Sequence, residues 1–81
     1  MKIMIPQAYL DWSFDEDEHN NYRFVTKGIE HDLYPSARVE LCKIGQPLRQ
    51  RGIVLRVEDD GIVIHTDETL DITEYYSIAL I

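Results

Sequence analysis

The sequence predicts a mainly β fold, with α+β as the alternative class: a small, strongly bent antiparallel sheet or partly open barrel of about five or six short strands, with at most one short N-terminal helix. Composition is the first reason. Ten Ile, five Val and four Thr stand against three Ala, and five Tyr, two Phe and one Trp add further residues that fit a pleated surface. The second is the alternation of apolar and polar residues on both sides of Asp59-Asp60-Gly61. The third is length: 81 residues make one domain, spanning 1–81, that buries roughly 60–65% of the surface its unfolded chain exposes.

In chain order, Lys2 to Ile5 reads as a short strand ending at Pro6. Gln7 to Phe14 admits a short helix with Pro6 at its first position, or a strand with Leu10, Trp12 and Phe14 on one face; a short helix or irregular turn is the preferred reading. Residues 15–21 form an exposed acidic loop, and Tyr22 to Thr26 a strand with Tyr22, Phe24 and Thr26 on one side. The turn signal Tyr34-Pro35-Ser36 precedes a strand at Ala37 to Lys43, with Val39 and Leu41 inward and Arg38 and Glu40 outward. A basic loop follows over residues 44–52.

The Gly52 to Asp67 stretch reads as a β-hairpin in which Ile53, Leu55 and Val57 form one apolar row and Ile62 and Ile64 another. A two-residue loop at Asp59-Asp60 sets Val57 opposite Ile62 and Leu55 opposite Ile64. A loop at Asp60-Gly61 shifts the pairs but keeps both rows on one face, whereas a glycine bulge breaks the match. Leu70 to Ile72 reads as another strand, Thr73 to Tyr76 as a helical turn capped by the Thr73 hydroxyl, and Ser77 to Ile81 as a last strand. From Ala37 to Ile81 this order of strands, basic loop, tight turn and helical turn is similar to that of the SH3-like small barrels. The resemblance, carried by strand spacing, implies a module that binds peptides, nucleic acids or other domains.

Several classes are set aside. No apolar run reaches the roughly 18 residues of a membrane-spanning helix, and Met1 to Pro6 lacks the pattern of a secretory signal, so the expected location is the cytoplasm with no membrane partner. Cys42, the one cysteine, cannot form an internal disulfide or a structural zinc site of the usual kind, and reads as a small half-buried residue. No phosphate-cradling glycine motif, nucleophile elbow or paired histidines at ligand spacing is present, so the chain reads as a non-enzyme with no cofactor and no metal. A metal site from His31, Asp32 and His65 requires that the fold gather them.

Charge is segregated along the chain. The net charge of −7 resolves into three bases against seven acids over residues 1–37, five bases against Glu40 alone over 38–56, and seven acids with no base over 57–81. The leading functional expectation is a protein-binding module or stoichiometric inhibitor that docks an acidic face on a basic partner, for example a nucleic-acid-handling protein such as a host defence complex. Small acidic inhibitors that phages encode are similar in size and charge. The acidic face is assigned to Asp15, Glu16, Asp17, Glu18, Asp59, Asp60, Asp67, Glu68, Asp71 and Glu74, with Trp12 and Phe14 beside Tyr9 as aromatic anchors if they are exposed. The alternative is a nucleic-acid- or phosphate-binding module that uses Arg49 and Arg51, although a chain at −7 repels a polyanion at long range. A further alternative is a structural homo-oligomer paired through the apolar last strand.

Overall fold

In the computed structural model the described residues are 4–11, 20–71 and 75–81. They form six strands: β1 (Met4–Asp11), β2 (Asn21–Val25), β3 (Arg38–Lys43), β4 (Arg49–Glu58), β5 (Gly61–Thr66) and β6 (Tyr75–Leu80). All neighbouring pairs are antiparallel, and the order β1-β2-β5-β4-β3-β6 closes on itself, so the sheet is a complete barrel rather than a partly open one. Closure changes the fate of the last strand. β6 is paired by β1 along one side and β3 along the other, which leaves it no free edge for the homodimeric pairing that its composition suggested.

The inward positions repeat every second residue. Leu10, Phe24, Ile62 and Val57 lie in one row of opposed pairs, and Tyr22, Ile64 and Val54 in the next. With Ile5, Ala8, Val39, Leu41, Tyr76 and Ile78 these residues, Val57 excepted, make the buried core, and Leu33, Ala37 and Leu70 from the connections close it. As expected, Tyr22, Phe24 and Thr26 are buried together, Val39 and Leu41 point inward, and Ile62 and Ile64 are fully buried.

Four local expectations are corrected. Residues 7–11 are strand rather than helix or turn, because Ala8 and Tyr9 pair with Tyr76 and Tyr75 while Leu10 pairs with Phe24. Pro6, which has no N–H to give a ladder, sits in the register shift between Ile5 and Ala8, so the strand runs through it. The rest of that segment, with Trp12 and Phe14, lies outside the described residues, as do Lys2, Asp15 to Glu18 and His19.

The β4 row is the second correction. The loop at Asp59-Asp60 does set Val57 opposite Ile62, but a register shift between Val54 and Arg56 puts Val54, not Leu55, opposite Ile64. Ile53 and Leu55 are therefore exposed, at 36% and 38%, while Val54 is buried. Gly52 is the cause on the inward side: a Cβ there would stand 2.7 Å from Ile64 Cγ2 and 2.9 Å from the His65 carbonyl oxygen. Only a residue without a side chain lets Ile64 and Leu41 fill that level of the barrel.

Third, Leu70 and Asp71 are not strand. Their N–H groups donate instead to the Tyr22 hydroxyl at 3.0 Å and the Tyr76 hydroxyl at 2.8 Å, which fixes the segment across the barrel mouth. Ile72, Thr73 and Glu74 lie outside the described residues, and Tyr75 and Tyr76 already belong to β6 rather than to a helical turn. Fourth, the basic loop is shorter than 44–52, since Arg49 onward is β4. Among the described residues no helix is long and apolar enough to cross a membrane.

Candidate functional site

The charge blocks become two surfaces. Arg23 is central to the first: the alternation that buries Tyr22 and Phe24 turns it outward, opposite Asp11 on β1 and Val63 on β5. Its Nη1 donates to Asp11 Oδ2 at 2.9 Å, its Nε to Glu58 Oε1 at 2.8 Å, and its Nη2 to Asp60 Oδ1. The hydrogen bond to Glu58, above all, raises the Arg23 pKa further; burial opposes this and Asp60 adds to it. The guanidinium is thus a permanent cation, 15% exposed, that ties β1, β2, β4 and the β4–β5 turn together.

This cluster remains strongly negative. Four acids, Asp11, Glu58, Asp59 and Asp60, meet one arginine, and Asp59 is exposed with no side-chain partner among the described residues. Val57, next to Glu58, is 40% exposed, and Leu55 lies two residues further back. The patch therefore presents fixed carboxylates around one arginine at the β4–β5 turn.

The remaining acids are divided. Asp67 and Glu68 stand at the far end of β5, where they share a shallow groove of about 230 Å³ with Arg49, Gln50 and Arg51. Asp71 is held by Lys43 Nζ at 2.9 Å, at a second mouth-side cavity of about 200 Å³ that Gln46, Leu48 and Gln50 help to line. Glu74 and Asp15 to Glu18 fall outside the described residues. The sequence-predicted acidic face is therefore not one surface among the described residues: Asp59 and Asp60 belong to the β4–β5 turn, and Asp67, Glu68 and Asp71 sit beside bases.

The second surface is the outer face of β3 and β4. Register places Arg38 opposite Ile53, Glu40 opposite Arg51 and Cys42 opposite Arg49, all pointing outward. Arg49 lies 3.6 Å from Glu40 and is 65% exposed. Arg38 and Arg51 have no side-chain partner among the described residues and border a groove of about 360 Å³ with Ile53, His65, Asp67 and Ile81. Arg49 and Arg51 thus share one groove while Arg38 and Arg51 share another. The alternation along β3 predicts Arg38 outward but not its diagonal placement beside Arg51, and for Arg23 the outward phase of Tyr22-Arg23-Phe24 beside an Asp-Asp-Gly turn is the available signal.

His31 and His65 do not meet. His31 Nδ1 accepts from the Leu33 N–H at 3.2 Å, and His65 Nδ1 lies 2.6 Å from Asn21 Oδ1. Among the described residues no three His, Cys, Asp or Glu side chains gather as a metal site. Cys42 donates its thiol to the Gln46 carbonyl at 3.0 Å. Exposed aromatics do occur on the outer wall where β1 and β6 pair: Tyr9 and Tyr75, 45% and 43% exposed, pack with ring centroids 5.4 Å apart. The chain matches no protein-family model, no curated protein and no solved structure, so its reading rests on this geometry.

Proposed function

We propose that the protein is a non-enzymatic, cytoplasmic binding module that docks the acidic patch around the β4–β5 turn on a basic surface of another protein. The observation that carries this reading is Arg23 holding Asp11, Glu58 and Asp60 together, so that an excess of negative charge is presented in a fixed arrangement. Preorganised charge costs less side-chain ordering on association and speeds encounter with a cationic partner. A stoichiometric inhibitor of a nucleic-acid-handling protein is the finer form of the same reading, in which carboxylates occupy positions meant for phosphates.

The test uses an arginine-rich peptide as probe and titration calorimetry as readout. Binding is expected to weaken as salt rises and to fall in a Glu58→Gln/Asp59→Asn variant. It is expected to persist in a Glu30→Gln/Asp32→Asn variant, which removes the same charge elsewhere on the chain. Equal losses in both variants, or binding indifferent to salt, would overturn the assignment of the patch.

A further inference from the structure

We infer that the outer groove between β3 and β4 is an anion site for a small phosphate monoester, of mononucleotide size, gripped by Arg38 and Arg51. Arg38 and Arg51 sit on adjacent antiparallel strands in diagonal register, with Ile53 opposite Arg38 and two residues from Arg51, so all three side chains leave the same face. Diagonal positions stand about 7–8 Å apart at the backbone, a span that two long guanidinium side chains close onto one phosphoryl group. Neither arginine has a side-chain partner among the described residues, in contrast to Arg23 and Arg49. On a chain of net charge −7, two unpaired guanidinium forks on one face leave a local positive site that the surrounding acids do not neutralise.

The surroundings define the rest of the ligand. At about 360 Å³ the groove has room for far more than a phosphate, and lies within the usual range of small-molecule sites. Ile53 and Ile81 give it an apolar wall, and the His65 ring borders it. Asp67 also lines it, and Glu40 stands opposite Arg51 on the same face. Those two carboxylates oppose a second and third phosphate while Asp67 accepts hydrogen bonds from hydroxyl or amino groups. A monoester of about −1.5 to −2 charge is matched by two arginines; a continuous nucleic-acid strand meets both carboxylates and the net negative field.

Adenosine 5′-monophosphate serves as the probe, with amide NMR shifts of the ¹⁵N-labelled chain as the readout. At about 5 mM ligand and low salt, shifts are expected to cluster at Arg38, Arg51 to Ile53, His65 and Ile81. Arg38→Gln and Arg51→Gln each weaken binding roughly tenfold, the loss of one charged hydrogen-bonding pair, while Arg56→Gln, on β4 but outside the groove, leaves it unchanged. All three arginines are exposed, so the variants fold, as their unperturbed spectra away from the site will show. Equal binding of adenosine removes the role of phosphate, and equal binding of inorganic phosphate removes the role of the apolar wall. Tighter binding of a single-stranded oligonucleotide, or no clustered shifts at all, likewise overturns the assignment.

Discussion

Gly61 makes room for Arg23. A Cβ on Gly61 would stand 2.8 Å from Cζ and Nη2 of that arginine and 2.8 Å from the Phe24 carbonyl oxygen, so the guanidinium occupies the space that a side chain at 61 would take. The arginine side chain can swing away, but the carbonyl belongs to the β2–β5 ladder and cannot. Gly61→Ala is therefore expected to lower stability by about 1–3 kcal/mol, the usual cost of overpacking, as read by urea denaturation. An unchanged midpoint would show that the strand pair yields without cost.

Removing the arginine tests the same contact from the other side. Arg23→Met keeps most of the side-chain volume but leaves Asp11, Glu58 and Asp60 facing one another. Glu58 and Asp60 are 41% and 60% exposed, so water screens much of the repulsion and the expected loss is about 1–2 kcal/mol. Because the penalty is like-charge repulsion, the gap between variant and wild type should narrow at high salt in a denaturation series. A gap that salt does not alter would assign the loss to packing alone.

The strands with one consistent alternation were legible before the structure: β2, β3 and β5 follow from Tyr22-Phe24-Thr26, Val39-Leu41 and Ile62-Ile64. What escaped was set by contacts distant in sequence. Residues 7–11 are strand because β6 and β2 flank them, and the local pattern had no means of announcing those partners. Leu70 and Asp71 are held by two tyrosine hydroxyls, 48 and 5 residues away in sequence, rather than by a ladder. The charge blocks were readable, and so was the hairpin that sets β4 beside β5, but not the extension of β4 back to Arg49, which brings Arg49 and Arg51 against Asp67 and Glu68. The Arg38–Arg51 groove depends on β3–β4 register and was out of reach for the same reason.

Ile53, Leu55 and Val57 alternate so regularly that the sequence points them all inward, yet all three are exposed, and Gly52 takes the inward position one residue before Ile53. Its inward phase, with Ile64 Cγ2 2.7 Å from any Cβ and Leu41 Cδ1 at 3.2 Å, makes Gly52→Ala a steric intrusion into the core. The expected cost is about 1–3 kcal/mol. Trimming the obstructing methyl groups should restore part of it, so Gly52→Ala/Ile64→Val should be less destabilised than the two single changes added together. Strict additivity in a denaturation cycle would contradict the inward placement.

Tyr76 gives the barrel a weakness at alkaline pH. Its hydroxyl accepts from the Asp71 N–H at 2.8 Å and donates to the Asp71 carbonyl at 3.2 Å, and burial pushes its pKa above the ordinary tyrosine value. A group with a raised folded-state pKa holds its proton more tightly when native. Its stabilisation is whole below the unfolded value of about 10 and is lost as pH rises from there through the folded value. Tyr76→Phe removes both the two hydrogen bonds and this titration. At neutral pH the variant should be less stable by about 1–2 kcal/mol, since the Asp71 N–H loses its acceptor. Above about pH 10 the wild type should lose stability faster than the variant, so the gap between them should close. Parallel pH profiles would mean that ionisation of Tyr76 is no harder in the folded barrel than in the unfolded chain.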